Sequence, residues 1–497
     1  MALLRPIMAR CLKHPRRTAV VGDTASLTYL KLLAASFHLA RHIGRLTDKP
    51  NIGLMLPTSG AFPVALLGAW QAGKVAVPLN YLLSKDDLHH VIADAELDTV
   101  ITVGKLLDTV GHDMIPEGIT VVKFEELSFK GIPPFRWPAK PKDDDLALLL
   151  YTSGTSGRPK GVMLSHGALQ SNVHAVIEHA ELTAADTFLG VLPQFHAFGV
   201  TALTLLPMFL GAKVVYTARF VPRKLVDLIR QHRPDIFIAV PSMFGALLSV
   251  KGATAEDYAC LSYAVCGAEP LPQSIYDAYK DRYQLGLLEG YGLTETAPVT
   301  NWSTPKQSRL HSVGRSLPGV RNFIVDEDNK LLGPDEEGEI LIAGPNVMMG
   351  YWHLPEQTDS VMQYLEIEGE DQPVRAFRTG DIGKLDADGF LYITGRKKEM
   401  LIVGGENVFP REIEEVLNQH PSVRASAVVG KPDDMRGEVP IAFVETEDDA
   451  EFDDTVLRNH CRDLLAQFKV PREIRQLDAL PRNPTGKILR RELKGQV

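Results

Sequence analysis

Residues 145–161 read DLALLLYTSGTSGRPKG. The first seven make one short apolar run, and a loop of small hydroxyls, glycines and a late lysine follows it. A strand that is apolar on both faces belongs in a parallel sheet covered on both sides. In such sheets ligands collect at the carboxyl ends of the strands. The loop has the chemistry of a phosphate cradle, because backbone N–H groups of a glycine-rich turn can point inward while Ser and Thr hydroxyls add donors without bulk. It is not a Walker loop, which needs Gly-x4-Gly-Lys-Ser/Thr. Here Arg158, Pro159 and Lys160 follow Gly157, and Gly161 follows the lysine. Read alone, the stretch has a flexible surface loop as its lesser alternative.

The same texture repeats outward from this point. TFLGVLP (187–193) reads as a strand, with a helix from about Ala197. DIFIAV (235–240) ends at Pro241 and leads into the helical SMFGALLS; LSYAVCG (261–267) and LGLLEGYG (285–292) are apolar strands ending in glycine. Strands alternating with helices predict largely parallel, doubly covered sheets. From about 313 the pattern becomes short alternating strands, VRNFIVDEDNKLL, EGEILIAG and GFLYITG. After GRKKEM (395–400) it changes again. PREIEEVLNQH is an amphipathic helix with Ile413, Val416 and Leu417 on one face, ASAVVGKP and VPIAFVE are strands, and TVLRNHCRDLLAQF is a second helix. The predicted fold class is α/β. A large N-terminal domain (1–397) has parallel-rich layered sheets plus a small β unit, and a small α+β domain (398–497) follows.

Composition narrows the function classes. A chain of 497 residues is too long for one ordinary core. A net charge of −9 argues against a general nucleic-acid binder. The four cysteines, Cys11, Cys260, Cys266 and Cys461, are scattered, without a zinc spacing or a disulfide framework. The apolar stretches GAFPVALLGAW (60–70) and FGVTALTLLPMFLGA (198–212) fall short of a spanning helix and read as buried helices. The basic N-terminus, MALLRPIMARCLKHPRR, has the composition of a transit peptide. Ile7, Cys11 and Leu12 also suit one face of a first structural helix. The acidic run ETEDDAEFDD (445–454) is expected to be a solvated loop.

Three further stretches carry chemistry. In EGYGLTET (289–296), a tyrosine between glycines can lie flat on a purine, Thr294 offers a hydroxyl, and Glu295 offers a hard oxygen for Mg²⁺. In FRTGDIGKLDADGFLYITGRKKEM (377–400), Asp381 follows a glycine turn and can reach a vicinal diol such as ribose, and LDADGFLYI suits a hairpin turning at Asp388-Gly389. In PRNPTGKILRREL (481–493), Lys487 sits in a Pro/Gly-bounded loop before a short basic helix. Each has a plain alternative: a tight turn at a strand end, a hairpin, a surface lysine. Together they compose an ATP site divided between two domains.

All four stretches, in this order and spacing, resemble the adenylate-forming superfamily of acyl- and aryl-CoA synthetases, luciferases and peptide-synthetase adenylation domains. The similarity runs from TAVV…LTYLKLL to TGKILRREL and includes YTSGTSGRPKGVMLSH, GYGLTE, TGD, GRKKEM, GGENVFPREIE and PTGK. The resemblance implies ATP, Mg²⁺ and coenzyme A as cofactors. Thr152, Ser153, Gly154, Thr155 and Lys160 would form the pyrophosphate loop, and Gly267, Ala268, Glu269, Tyr291 and Gly292 the adenine slot. Thr294 would contact the α-phosphate, Glu295 the metal, and Asp381 with Arg396 the ribose. Lys398 would be the hinge of a mobile C-terminal domain, and Lys487 would bridge carboxylate and α-phosphate. A swivel would then bring the GGENVFP face, with Gly404, Gly405 and Glu406, to open a path for CoA.

LPQFHAFGVT (192–201) would begin the acid pocket. Peptide-synthetase domains usually have aspartate after the phenylalanine; this chain has His196, which disfavours an amino-acid substrate. His196 reads either as a pocket wall, which would place it at the catalytic centre, or as a core residue. Phe198, Val240, Ser242, Met243, Gly290 and Ala297 are the expected pocket, with small residues leaving a channel open. The resemblance implies activation of a medium- or long-chain fatty acid and transfer to CoA. The alternatives are an aryl-acid CoA ligase, an acyl-carrier-protein synthetase or acyl-AMP ligase, and a non-catalytic nucleotide-binding relative. QPVRAF replaces the family's usual DGW before TGD, which leaves that loop's contacts open. A small-molecule acid is the expected partner, with CoA or acyl carrier protein as acceptor. A cytoplasmic protein, monomer or homodimer, with no transmembrane segment, no nucleic acid, and room for peripheral membrane contact, completes the expectation.

Overall fold

The structure is a computed structural model. It describes residues 3–497 apart from 24, 134–137, 154–157, 434, 448–449, 483–485 and 487, together with the side chain of 153. Two large sheets dominate. The nine-stranded sheet runs edge to edge through Arg315–Ser316, Val299–Trp302, Leu288–Gly292, Tyr263–Cys266, Ile236–Ala239, Thr187–Gly190, Lys213–Tyr216, Thr18–Val21 and Ser26–Thr28. Its six strands from 288–292 to 18–21 are mutually parallel, and the edges are antiparallel. The seven-stranded sheet contains Leu146–Ser153 between Val75–Pro78, which is parallel to it, and Pro159–Ser165, which is antiparallel. One continuous core draws residues from both sheets and from helix Ala61–Gln71, which is buried from Phe62 onward. Among the described residues no helix is long and apolar enough to cross a membrane.

A five-stranded antiparallel sheet comprises Arg321–Val325, Gly338–Ala343, Met362–Leu365, Val374–Leu385 and Leu391–Arg396. Strand Val374–Leu385 takes in VRAF and TGDIGKL, so Asp381 lies within a strand rather than after a free turn. The ladder with Gly338–Ala343 slips there: Glu339 faces Ile382 while Leu341 faces Arg378. Gly380, at φ +73, takes up the extra length as a bulge. The bulge re-aims the chain without ending the strand. The hairpin expected around Asp388-Gly389 does join Val374–Leu385 to Leu391–Arg396.

A further five-stranded sheet begins at Leu401–Val403, immediately after the previous one ends at Arg396. Helices Pro410–Leu417 and Asp454–Leu464 cover it, with Ile413, Val416 and Leu417 buried. The expected solvated loop 445–454 is only partly one. Glu445 and Thr446 finish strand Gly437–Thr446. Glu445 is buried because the Leu480 N–H donates to it at 2.5 Å and Arg482 lies at 3.2 Å. Residues 448 and 449 lie outside the described residues, and Asp453 caps the next helix through Thr455 and Val456. At the other end, helix Leu4–Lys13 buries Leu4, Ile7 and Cys11 but leaves Leu12 63% exposed. Leu12 is one step, about 100°, round from Cys11, outside the i, i+4 stripe. The helix expected from Ala197 passes through a π-helical turn, Thr201–Leu205, before resuming at Leu206–Leu210.

Candidate active site

Parallel strands Thr187–Gly190, Ile236–Ala239, Tyr263–Cys266 and Leu288–Gly292 all end on one side of the nine-stranded sheet. The segments following them enclose a cavity of about 210 Å³. Among the described residues no charged side chain lines it. Its walls include Phe198, Val240, Gly267, Gly290 and Thr294, with His196 among them. His196 is deeply buried and desolvation pushes its pKa down to about 4, so the ring is neutral at pH 7. The two readings of His196 therefore merge: it is buried and it lines the cavity.

Ser242, Met243 and Ala297 do not line the cavity. Met243 packs into the hydrophobic clusters on both faces of the sheet. Ala297 is fully buried, with its carbonyl accepting from Thr201 Oγ1 at 3.3 Å. Ser242 faces the C-terminal segment instead: a Cβ on Gly486 would come within 2.7 Å of Ser242 Oγ and 3.8 Å of Val240. The chain next to Lys487 thus reaches the residues that follow strand Ile236–Ala239. Lys487 itself lies outside the described residues.

Beside the cavity, Tyr291 Oη donates to Asp381 Oδ2 at 2.5 Å, and Arg396 Nε holds Asp381 Oδ1 at 2.7 Å. Asp381 and Arg396 are direct cross-strand partners, so the sheet sets their pairing. Asp381 is 3% exposed, and its N–H donates to Thr379 Oγ1. Desolvation first, then the Asp381 charge, drives the Tyr291 hydroxyl well above its ordinary range, keeping it a donor. Burial works against the Arg396 charge, but Asp381 and Tyr291 outweigh it and the guanidinium stays protonated.

A second cluster adjoins the first. Strands Leu146–Ser153 and Pro159–Ser165 form a hairpin in which Thr152 pairs with Lys160 and Ser153 with Pro159. The expected loop therefore starts and finishes on paired strands, and Lys160 stands on the second of them. Gly154 and Thr155, with the side chain of Ser153, lie outside the described residues. Lys160 Nζ lies 5.5 Å from the centre of the Tyr351 ring, and Tyr351 Oη donates to Glu295 Oε1 at 2.9 Å. Desolvation lowers the Lys160 pKa, the charge of Lys398 lowers it further, and Glu295 opposes both. Desolvation raises that of Glu295. Two cations and a desolvated carboxylate thus converge where a polyphosphate with a divalent cation would balance them. The residues suit that group.

Ala268, exposed and at φ +69, follows Gly267 at the end of its strand. Arg490 ties the C-terminal part to this edge. It contacts Glu414 at 2.7 Å and Glu399 at 3.3 Å, and although burial works against its charge, Glu414, Glu399 and Glu269 sustain it. Gly404 and Gly405 form the exposed two-residue turn of a hairpin, both at positive φ, with Glu406 exposed after them. They are not among the cavity's walls. Sequence reasoning missed Tyr351, Arg490, Trp302 and Val173. Trp302 ends the VTNW strand and Val173 sits on an ordinary amphipathic helix; neither has a local signature separating a cavity wall from a core residue.

A family model described as AMP-binding enzyme matches residues 8–352, and one described as AMP-binding enzyme C-terminal domain matches residues 412–487. The chain is 33% identical over 493 residues to a feruloyl-CoA synthase of Amycolatopsis sp, covering 98% of this chain and 97% of that protein. It is 31% identical over 529 residues to a long-chain-fatty-acid–CoA ligase of Bacillus subtilis (strain 168), covering 97% and 92%. Among solved structures, o-succinylbenzoate coenzyme A synthetase from Bacillus subtilis in complex with ATP and magnesium ion superposes with a TM-score of 0.86 at 28% identity, covering 98% of this chain and 99% of that one.

Proposed function

The chain belongs to the AMP-binding enzymes of the adenylate-forming superfamily, and on that premise we propose that it activates an apolar monocarboxylic acid with ATP and transfers the acyl group to the thiol of CoA. The observation that carries the reading is convergence. The Tyr291–Asp381–Arg396 cluster and the Lys160–Tyr351–Glu295 cluster flank an uncharged cavity, and Gly486 brings the C-terminal segment to Val240 beside it.

In the first half-reaction a carboxylate oxygen attacks the α-phosphorus of ATP, the bond to the bridging oxygen breaks, and pyrophosphate leaves. In the second, the CoA sulfur attacks the acyl carbon and AMP departs with the electron pair. The carboxylate needs no activating base; the barrier lies in bringing two anions together and in charge at phosphorus. Asp381 accepts from the ribose hydroxyls, and Arg396 keeps Asp381 oriented. Thr152, Lys160 and the rest of the loop hold the leaving pyrophosphate. Bound at Glu295, Mg²⁺ would neutralise phosphate charge. Thr294 faces the α-phosphate, and Lys487 bridges it to the carboxylate.

The two-domain division at 397/398 with a hinge at Lys398 belongs to the same reading. Arg490, paired with Glu414 and Glu399 and sustained by Glu269, would hold the adenylating arrangement. Its release would let the 404–406 turn approach in the thiolation step. The medium- or long-chain fatty acid expected from the motifs and an aryl acid both suit an apolar wall, and the relatives above include ligases of both kinds.

The test is pyrophosphate release across fatty and aryl acids, followed by thioester formation with CoA or a holo carrier protein. Release with fatty or aryl acids and a CoA thioester are expected. No pyrophosphate with any acid would revive a nucleotide-binding relative without catalysis, and turnover with amino acids alone would overturn the pocket reading. Lys487→Ala should abolish adenylation while largely sparing thiolation of supplied acyl-AMP; equal loss of both would sink that assignment.

A further inference from the structure

The cavity wall holds two buried nitrogens without a hydrogen-bond partner among the described residues: His196 Nε2 and Trp302 Nε1. Buried N–H groups are nearly always satisfied, and an orphan one costs stability unless something else completes it. Trp302 is 4% exposed, so bulk water does not reach it. An indole N–H is donor only, so its missing partner must be an acceptor.

Its position is informative. Trp302 is the direct cross-strand partner of Gly290. The indole Cδ1, bonded to Nε1, lies 3.9 Å from where a Cβ on Gly290 would stand. The N–H edge of the ring therefore adjoins a glycine that lines the cavity and leaves open the space a side chain would take. Gly290 precedes Gly292 by two strand residues, roughly 7 Å at about 3.3 Å per residue, and Thr294 lies further on. The orphan donor thus lies on the Gly290 side of the cavity, back along the strand from Thr294. The same cavity is also lined by the apolar Val173, Val176 and Leu206.

Volume sets the second limit. A cavity of about 150 Å³ accepts benzene. One of about 210 Å³ holds a substituted ring or a short chain within its walls, and a long saturated chain would have to extend beyond them. Among the described residues the wall carries no charged side chain, which disfavours an ionised group beside Trp302.

We propose, resting on the ligase reading above, that Trp302 is a specificity-determining residue whose indole N–H selects a compact aryl acid bearing an uncharged ether or hydroxyl oxygen opposite its carboxylate. The long fatty acid is then a poor substrate, because it overfills the cavity and leaves the donor unpaired.

A matched pair tests this: para-methoxycinnamic acid and para-ethylcinnamic acid, which differ by one oxygen in place of one methylene. In the wild type, kcat/KM for pyrophosphate release should favour the methoxy acid at least about tenfold, the effect of leaving a buried donor unpaired. Isothermal titration of both acids into the protein without ATP should show the same order in Kd. Trp302→Phe keeps an aromatic side chain, though a smaller one, and deletes the donor; it should bring both ratios to within about twofold while retaining activity on the ethyl acid. Pyrophosphate release with a wild-type ratio near one overturns the inference and leaves the ligase reading standing. So does faster turnover of hexadecanoic acid than of either aryl acid. If no acid yields pyrophosphate, the ligase reading falls, and the titration still decides: unequal affinities lost in Trp302→Phe support the assigned donor, while equal affinities or no binding overturn it. Should Trp302→Phe fail to fold, the wild-type ratio and titration decide by themselves.

Discussion

Glu289 stands at the start of the strand that carries Tyr291, one residue before Gly290. Burial raises its pKa from an ordinary 4.5 to about 7. Arg411 and a backbone hydrogen bond from Leu271 oppose the rise, and Glu415 adds to it. The sign follows from proton linkage. Between pH 4.5 and 7 the folded chain holds a proton the unfolded chain has lost, so stability is present in full below the unfolded value and declines as pH rises through the window. A shift from 4.5 to 7 is 2.5 units, and at 1.36 kcal/mol per unit the ionised carboxylate costs about 3 kcal/mol above pH 7. Glu289→Gln carries no charge and keeps an acceptor for Leu271. It should therefore be more stable than wild type at pH 8 and nearly equal at pH 4.5. With an unfolding entropy of roughly 2.1 cal/mol/K per residue, a chain of 497 residues moves by about 1 °C per kcal/mol. The expected gain in Tm at pH 8 is about 3 °C, measured by scanning calorimetry of both proteins at the two pH values. An equal gain at both would refute the linkage, and a loss at pH 8 would show that Glu289 is needed as a partner of Arg411.

Other outcomes follow from the same geometry. Asp381→Asn removes the charge that Arg396 and Tyr291 share; the KM for ATP should rise about tenfold or more, with a much smaller change in the KM for the acid, in steady-state kinetics. Gly292→Ala would drive a Cβ to 1.8 Å from the Pro298 carbonyl and 3.0 Å from Val299 Cα, all backbone, so the two strands must part; a loss of several kcal/mol in urea denaturation is expected. Ile7→Ala, at a fully buried site, should cost about 2–4 kcal/mol in the same assay, whereas Leu12→Ala, at an exposed one, should change it by less than about 0.5 kcal/mol.

Much of the architecture was legible because its signals are local. The strands 187–190, 236–239, 263–266 and 288–292 are short apolar runs punctuated by glycine or proline, and their length and those flanks favour a strand over a buried helix. Local pattern failed where a distant partner decided. Glu445 reads as one acid among many, yet it is buried by Leu480 and Arg482 some 35 residues on. Leu12 reads as part of an apolar stripe, yet the core beneath helix Leu4–Lys13 is only wide enough for Leu4, Ile7 and Cys11.

The site divides in the same way. By itself the sequence determined the chemical inventory: a glycine-rich loop with a lysine, the Gly-Tyr-Gly segment with Thr294 and Glu295, and Asp381 and Arg396. Those residues announce themselves because each occurs in a short motif whose spacing matters. Only the tertiary structure decided that Tyr291 donates to Asp381 across two sheets, that Tyr351 joins Lys160 to Glu295, and that Gly486 comes to Ser242 from a segment more than two hundred residues away. It alone also decided the cavity's shape and the Trp302 donor left without a partner among the described residues, because a wall is assembled from several elements whose residues are indistinguishable, one by one, from ordinary core.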